Sequence, residues 1–387
     1  MPDMPANKFI PRALDVEKGL RRKSLLLLGP RLTGKSSLIR HTLKGARVFN
    51  LLDNDVFVRL SRQPTRLREE LAPEDRVVVI DEVQKLPVLL DEVQLLIEER
   101  GIRFLLTGSS ARKLRRRGAN LLGGRVGSRS LHPFVSKEVG PLDLARVLRF
   151  GLLPSVYFSE DPEADLADYV GTYLREEVAA EGLTRNVPAF SRFLEVAALC
   201  AGQQINFTKI ANDAQVARTT VQEYFEILKD TLLAYELPAW QKTLKRKPVQ
   251  VHKFYFFDGG VAHRLRGGGP LGEKSPEFGR AFEAFIFHEL RAYADYRFGP
   301  REERLHYWRS KSGFEVDFIL ADETAVEVKS ARNVSPQDLK GLRALGEERT
   351  LKRLVCVSLE PERRRVGDID ILPWRLFLER LWADGFC

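Results

Sequence analysis

The sequence predicts an α/β protein in three parts: a parallel sheet built around a phosphate-binding loop, a helical middle region that ends in a winged helix-turn-helix, and a second, smaller α/β domain. Three observations predict this. The apolar run LLLL at 25–28 leads into the glycine-rich octet GPRLTGKS and then into helical periodicity. A second apolar run, RVVVI at 76–80, ends in the adjacent acids Asp81 and Glu82. Near the carboxyl terminus, EVDF and EVK sit on two strand-like runs behind an amphipathic helix. The expected boundaries are 1–140, 141–270 and 271–387, in line with a prior of roughly 100 to 200 residues per domain.

Composition narrows the class. With 44% hydrophobic and 30% charged residues, the chain reads as an ordinary globular protein. No window offers the roughly 18 consecutive apolar residues of a membrane span. The first twenty residues lack the apolar core and cleavage site of a secretory signal, so a cytoplasmic protein is expected. Cys200, Cys356 and Cys387 lie far apart without CxxC spacing, which argues against a disulfide framework or a zinc knuckle. A formal net charge of +9 and a pI near 9.4 favour a polyanionic partner such as nucleic acid over acidic protein patches, although many basic proteins bind no polyanion.

The amino-terminal elements follow in order. Gly29, Pro30, Arg31, Leu32, Thr33, Gly34, Lys35 and Ser36 match GxxxxGK[ST] between a strand and a helix, and Ser37 extends the cradle. The two glycines let the backbone curl so that several N–H groups face one anion at the positive end of the helix. Lys35 is expected on the β- and γ-phosphates and the Ser36 hydroxyl on Mg²⁺. A second strand at 46–52 precedes Asp53, Asn54 and Asp55, either a turn or acids facing the nucleotide. Asp81 is the expected Mg²⁺ partner, and Glu82 the base that activates water. After a helix that follows Pro87 and ends at Gly101, the strand 102–106 delivers Thr107 and Ser109 to the same sheet edge. Ser109 is the first candidate to sense the γ-phosphate or place the water, Thr107 the reserve, and helix capping the structural alternative.

GPRLTGKSS, VVVIDEVQKLP, FLLTGSSARKL and GGRVGSRSLHPFVSKE, in this order across 8–140, resemble the AAA-type ATPase domain of bacterial and archaeal proteins that also carry a DUF4143 domain. The resemblance implies an AAA-type parallel sheet that binds and hydrolyses ATP with Mg²⁺. Leu32 stands where that family usually has a polar residue, and Ser36 where it often has Thr. Arg125 occupies the family's GR position, which makes it the implied arginine finger; acting in trans, it requires a homo-oligomer. Arg115 to Arg117 are read either as DNA phosphate contacts or as a solvated charged loop.

In the middle region, Tyr157, Phe158, Tyr169, Tyr173, Phe190 and Phe193 fall at spacings that suit core faces. GLLP at 151–154 and the Tyr169–Val178 stretch partly echo the same family. Residues 207–233 read as helix, tight turn and helix, placing Arg218, Thr219, Thr220 and Gln222 on a recognition helix. The wing at 234–253 carries Lys242, Lys245, Arg246 and Lys247. Winged helices serve DNA contacts and protein contacts alike.

In the last part, Glu327 and Lys329 are two apart and share one face of a strand, where Asp317 on the neighbouring strand can meet them. Asp-x9-Glu-x-Lys behind a helix bearing Glu283 is the pattern of a PD-(D/E)xK, restriction-endonuclease-like core. Asp317, Glu327 and Glu283 are expected to hold Mg²⁺ or Mn²⁺, and Lys329 to activate water at a phosphodiester. The same pattern without catalysis describes a salt-bridged domain that only holds nucleic acid. The end of DUF4143 shares the elements His306–Arg309, EVDF and EVK. The reading as a whole is ATP-dependent action on DNA, with nucleotide state regulating a nuclease-like or clamping terminal domain. The alternative is a switch on protein partners with an inert terminal scaffold.

Overall fold

The computed structural model describes residues 9–110, 124–173, 186–300, 303–348 and 350–386. Arg115 to Arg117 and the 174–178 stretch lie outside the described residues, as does the side chain of Tyr173. The chain forms two compact units, one running through Pro133 and the other holding nearly all that follows. No helix among the described residues is long and apolar enough to cross a membrane.

The first unit is a five-stranded sheet of β1 (Ser24–Leu28), β2 (Arg47–Asn50), β3 (Val77–Asp81), β4 (Arg103–Gly108) and β5 (Val126–Ser130), in the order β2-β3-β4-β1-β5. All its pairings are parallel. β1 and the last five residues of β4 are buried throughout, as unbroken apolar runs in a sheet covered on both faces must be. Leu26, Val78, Ile80, Phe104 and Leu106 form the core beside Val93 and Leu96 of the helix Leu89–Arg100. Gly101 closes that helix at φ +64°, a conformation that suits a residue without Cβ. Asp53 does not point to a nucleotide: its carboxylate accepts the N–H groups of Asp55 and Val56 and caps the helix Asn54–Arg62.

In the second unit, Phe190, Phe193, Tyr224 and Phe225 pack edge-on or tilted at centroid separations of 5.0–5.8 Å. Burying each ring contributes about 1.5–3 kcal/mol. Tyr169 joins this core, whereas Phe158 remains 43% exposed and departs from the expected pattern. The helices Phe207–Ala214 and Arg218–Asp230 are joined at Gln215, whose φ of +54° makes the tight turn. Arg218, Thr219 and Gln222 are exposed on the first turns of the second helix.

The wing strands β6 (Ala234–Leu237) and β7 (Lys253–Phe256) pair antiparallel. The segment between them is not free. It runs along β8 (Leu305–Arg309), with Trp240 N–H donating to Tyr307 and Val249 N–H to Arg309. Lys242 pairs with Asp322, Arg246 with Glu347, and Glu348 accepts the backbone N–H groups of Leu244, Lys245 and Arg246. The wing expected to face DNA is therefore spliced onto the edge of the terminal sheet, with two of its four cations paired there. That sheet has six strands in the order β12-β13-β11-β10-β9-β8, adding β9 (Glu315–Leu320), β10 (Thr324–Lys329), β11 (Arg353–Ser358), β12 (Arg364–Val366) and β13 (Ile369–Pro373). β10, β11 and β13 run parallel, and the flanking pairs are antiparallel.

Candidate active site and a second buried acid cluster

At the carboxyl edge of the first sheet, the loop 29–36 wraps the start of the helix Lys35–Thr42. Gly34 sits at φ +92°, and a Cβ on Gly29 would come within 2.5 Å of the Leu131 carbonyl, so both glycines are required. Thr33 is fully buried and donates to the Pro30 carbonyl, fixing the turn from within, while Arg31 and Leu32 face outward. Lys35 is buried and its Nζ donates to the carbonyls of Gly29 (2.7 Å) and Pro30 (3.1 Å). Its ammonium thus lies inside the curl where a phosphate has to sit. Arg12 braces the loop by donating to the carbonyls of Thr33 and His132.

The acids at the end of β3 complete the site. Ser36 Oγ donates to Asp81 Oδ2 at 3.1 Å, and the Thr107 hydroxyl donates to Oδ1 of the same acid. Glu82 has φ +61°, the left-handed region, which costs a side-chain-bearing residue about 1–3 kcal/mol. That turn aims its carboxylate at Gln84, which donates to it, and at Ser109, whose Oγ lies 3.3 Å away. Gln84 also donates to Ser109 Oγ at 3.2 Å. Ser36 and Asp81 converge as the hard oxygen donors of a divalent cation, so the residues present fit Mg²⁺.

The second cluster lies in the terminal sheet. β9 and β10 pair as far as Phe318 opposite Val326; beyond that point Val328 N–H donates to the Asp317 carboxylate at 2.8 Å. Glu327 and Lys329 share a face as their spacing requires, with Nζ 2.6 Å from Oε1, while Oε2 of Glu327 is buried without a hydrogen-bond partner. Glu283, on the helix Pro276–Arg297, accepts from the Tyr255 hydroxyl at 2.5 Å. Lys253, 3% exposed, reaches Glu315 at 2.6 Å and Glu283 at 3.9 Å. Burial first, and then Asp317, push Glu283 up to about 7, and the same two causes hold Glu327 well above the ordinary carboxylate range. Burial pulls the Lys253 ammonium down, but Glu283, Asp317 and Glu315 more than offset it and raise its pKa.

The expected three-carboxylate cage is not assembled: among the described residues no three His, Cys, Asp or Glu side chains group as metal ligands. Glu283 is drawn to Tyr255 and Lys253 instead. Asp317 and Glu327 remain, and the orphaned Glu327 oxygen suits a cation.

Three families match separate stretches of the chain. The AAA domain family matches residues 21–140, DUF4143, a domain of unknown function, matches 278–377, and a second domain of unknown function, DUF8612, matches 142–272. The chain has the AAA–DUF4143 architecture. Uncharacterized proteins of Mycobacterium tuberculosis and Mycobacterium bovis are each 28% identical to it over 357 residues, covering 89% of this chain and 78% of theirs. Among solved structures, a replication initiator DnaA bound to AMPPCP and single-stranded DNA matches 59% of this chain and 92% of its own at 13% identity and a TM-score of 0.30. A STAND-class signal-transduction ATPase of Pyrococcus horikoshii with a tetratricopeptide repeat sensor matches 74% of this chain and 50% of its own at 16% identity and a TM-score of 0.20. Scores this low lend no weight to either likeness.

Within the AAA domain, Arg125 lies away from the loop. β5 runs parallel to β1 with Val126 beside Ser24 and Ser130 beside Leu28, so Arg125 precedes the amino edge of the sheet. The strand that separates it from the phosphate edge spans roughly 16 Å at about 3.3 Å per residue, beyond the reach of an arginine side chain. Its guanidinium pairs with Glu98 at 2.8 Å. A finger role toward the loop of its own chain does not fit this placement.

Sequence reasoning missed Gln84 and Lys253. Gln84 was legible as the polar residue two past Glu82. Lys253 gave no local signal, because its role depends on where β7 is placed.

Proposed function

We propose that the chain is an ATP-hydrolysing homo-oligomeric switch that acts on DNA in the cytoplasm, with nucleotide state regulating its DUF4143 end. The parts assigned are an ATPase domain (1–140), a helical and winged region (141–270) and a nuclease-like domain (271–387). Lys35 and the loop N–H groups hold the β- and γ-phosphates, and Ser109 places the attacking water for Glu82 to deprotonate. Mg²⁺, when held by Ser36 with Asp81 behind it, offsets the phosphate charge. In the oligomer, Arg125 reaches the site of a neighbouring copy. The experiment is subunit mixing: Arg125→Ala and Glu82→Gln proteins, each inactive alone, regain part of the turnover when combined, because some interfaces then pair an intact base with an intact finger. Turnover retained by Arg125→Ala alone removes the finger.

At the DUF4143 end, the reading rests on one observation: two acids lie buried on adjacent strands, one of them paired to a partly exposed lysine and with its other carboxylate oxygen unpaired. Burying like charges together works against stability, which favours a functional reason for them. Asp317 and Glu327 would hold Mg²⁺ or Mn²⁺, which would polarise a phosphodiester when bound. Lys329 orients the water. Plasmid DNA incubated with Mn²⁺ is expected to be nicked, with nicking abolished in Asp317→Ala and Lys329→Ala. Intact DNA in every arm supports the rival, a scaffold acting on protein partners. That rival draws its own support from Lys253, which already neutralises part of the acid cluster, and from the wing cations engaged within the chain. DNA that stimulates ATP turnover in a salt-sensitive way separates the two, since phosphate contacts weaken as salt rises.

A further inference from the structure

We propose that the cavity between the helices Gly259–Leu265 and Pro276–Arg297 is a receptor for a phosphate monoester, gripped by Arg266 and Arg280. It has a volume of about 200 Å³, and its walls include Gly202, Tyr255, Gly259, Arg266, Arg280 and Glu283. The site does not depend on the cleavage proposed above.

Two guanidinium groups line one small space, and their partners do not account for them. The Arg266 side chain makes no hydrogen bond or ion pair among the described residues. Arg280 donates through Nη2 to Glu277 at 2.7 Å, one turn back on its own helix, while its Nε is buried with no hydrogen-bond partner. Burial, and after it the charge of Arg280, lower the pKa of Arg266, and the single carboxylate nearby, Glu277, offsets only part of this. The acids in the wall have other duties. Asp258 accepts the N–H groups of Leu152 and Val261 and caps the helix Gly259–Leu265, and Glu283 accepts from Tyr255. Unmet planar donors facing a void are what an oxyanion satisfies, and paired arginine forks match phosphate oxygens in particular.

Size and charge choose the kind of phosphate. Pockets that enclose whole small molecules measure roughly 300–1,000 Å³. This one is smaller, so it takes a group and not a whole nucleotide. A diester inside a chain needs an exit on both sides and carries one negative charge. A monoester needs one exit and carries about −1.5 to −2 at neutral pH, which two arginines balance. Arg280 and Glu283 are three apart on one helix and so lie on the same face. A phosphate seated on Arg280 therefore brings whatever it terminates alongside the acid cluster. Two sources share this chemistry, the 5′ end of a nucleic acid and a free phosphorylated small molecule.

The test uses the full chain carrying Lys35→Ala, so that the nucleotide loop does not compete, in buffer with chelator. Binding of a 3′-labelled single-stranded oligonucleotide is followed by anisotropy with either a 5′-phosphate or a 5′-hydroxyl. A 5′-phosphate is expected to tighten binding by about tenfold, the size of one good charge-assisted contact. The advantage should vanish in Arg266→Gln/Arg280→Gln and be competed away by adenosine monophosphate. If the two ends bind alike but adenosine monophosphate or inorganic phosphate saturates the protein in an arginine-dependent way, by calorimetry, the receptor serves a free phosphate. Equal affinity of both ends together with no saturable phosphate binding overturns the proposal, as does a 5′-phosphate advantage that survives the double substitution. Should the double variant fold poorly by circular dichroism, Arg280→Gln alone carries the comparison, since that side chain is 38% exposed.

Discussion

Lys35→Ala is expected to eliminate ATP binding, whereas Glu82→Gln keeps ATP affinity and loses turnover by about 10²–10⁴-fold, the usual worth of a positioned general base. Calorimetry with ATP and a steady-state phosphate-release assay separate the two. The distinction follows from where the side chains are. The Lys35 ammonium sits within the loop, bonded to the Gly29 and Pro30 carbonyls, and a phosphate entering the curl takes over those contacts. The Glu82 carboxylate is engaged by Gln84 and Ser109 instead. Glutamine preserves its shape and the strained turn, yet cannot take a proton. Hydrolysis unchanged in Glu82→Gln would dismiss it as the base, and ATP retained by Lys35→Ala would undo the assignment of the loop.

What the sequence made legible was what the chain encodes over a few residues. The phosphate loop, the acids ending β3 and the Glu327–Lys329 pair each follow from a local run whose strand or helix fixes where the side chains go. The Thr107 bond to Asp81 and the Ser109 contact with Glu82 needed one further step, that neighbouring parallel strands end at one edge, and sequence order supplied it. Long-range placement was another matter. Periodicity identified the wing as a hairpin and its lysines as charged, but not that Val249 and Trp240 would bond to β8. Nor did it show that Arg125 lies just before β5, at the wrong edge for its own nucleotide, because that depends on β5 lying parallel to β1. The glutamate on the helix was expected as a metal ligand, whereas its company of Tyr255 and Lys253 comes from a strand nearly thirty residues earlier, and alternation within β7 only explains it afterwards.

Lys253→Met is expected to destabilise the second unit by about 3–5 kcal/mol, the cost of removing one partner from a buried charge pair. Methionine keeps the apolar stem of the side chain but not the ammonium that lies 5.1 Å from the centre of the Tyr307 ring, so the loss reports on charge. What remains is Glu283, Glu315 and Asp317 facing one another with less compensation. The loss should depend on pH in a definite direction. Glu283 titrates near 7 in the folded protein against about 4.5 when unfolded, so between those values the folded state holds a proton that the unfolded state lacks. Its contribution therefore favours folding at the acid end and fades as pH rises through 7. Without Lys253 the carboxyl is harder still to ionise, and the variant's deficit should be largest near pH 8 and shrink toward pH 5. Urea melts of both proteins across that range measure it. A deficit independent of pH would mean that Lys253 serves only to pack, whereas partial rescue of the variant by Mn²⁺ at pH 8, seen as a raised melting temperature, would show that the acids accept a divalent cation in its place.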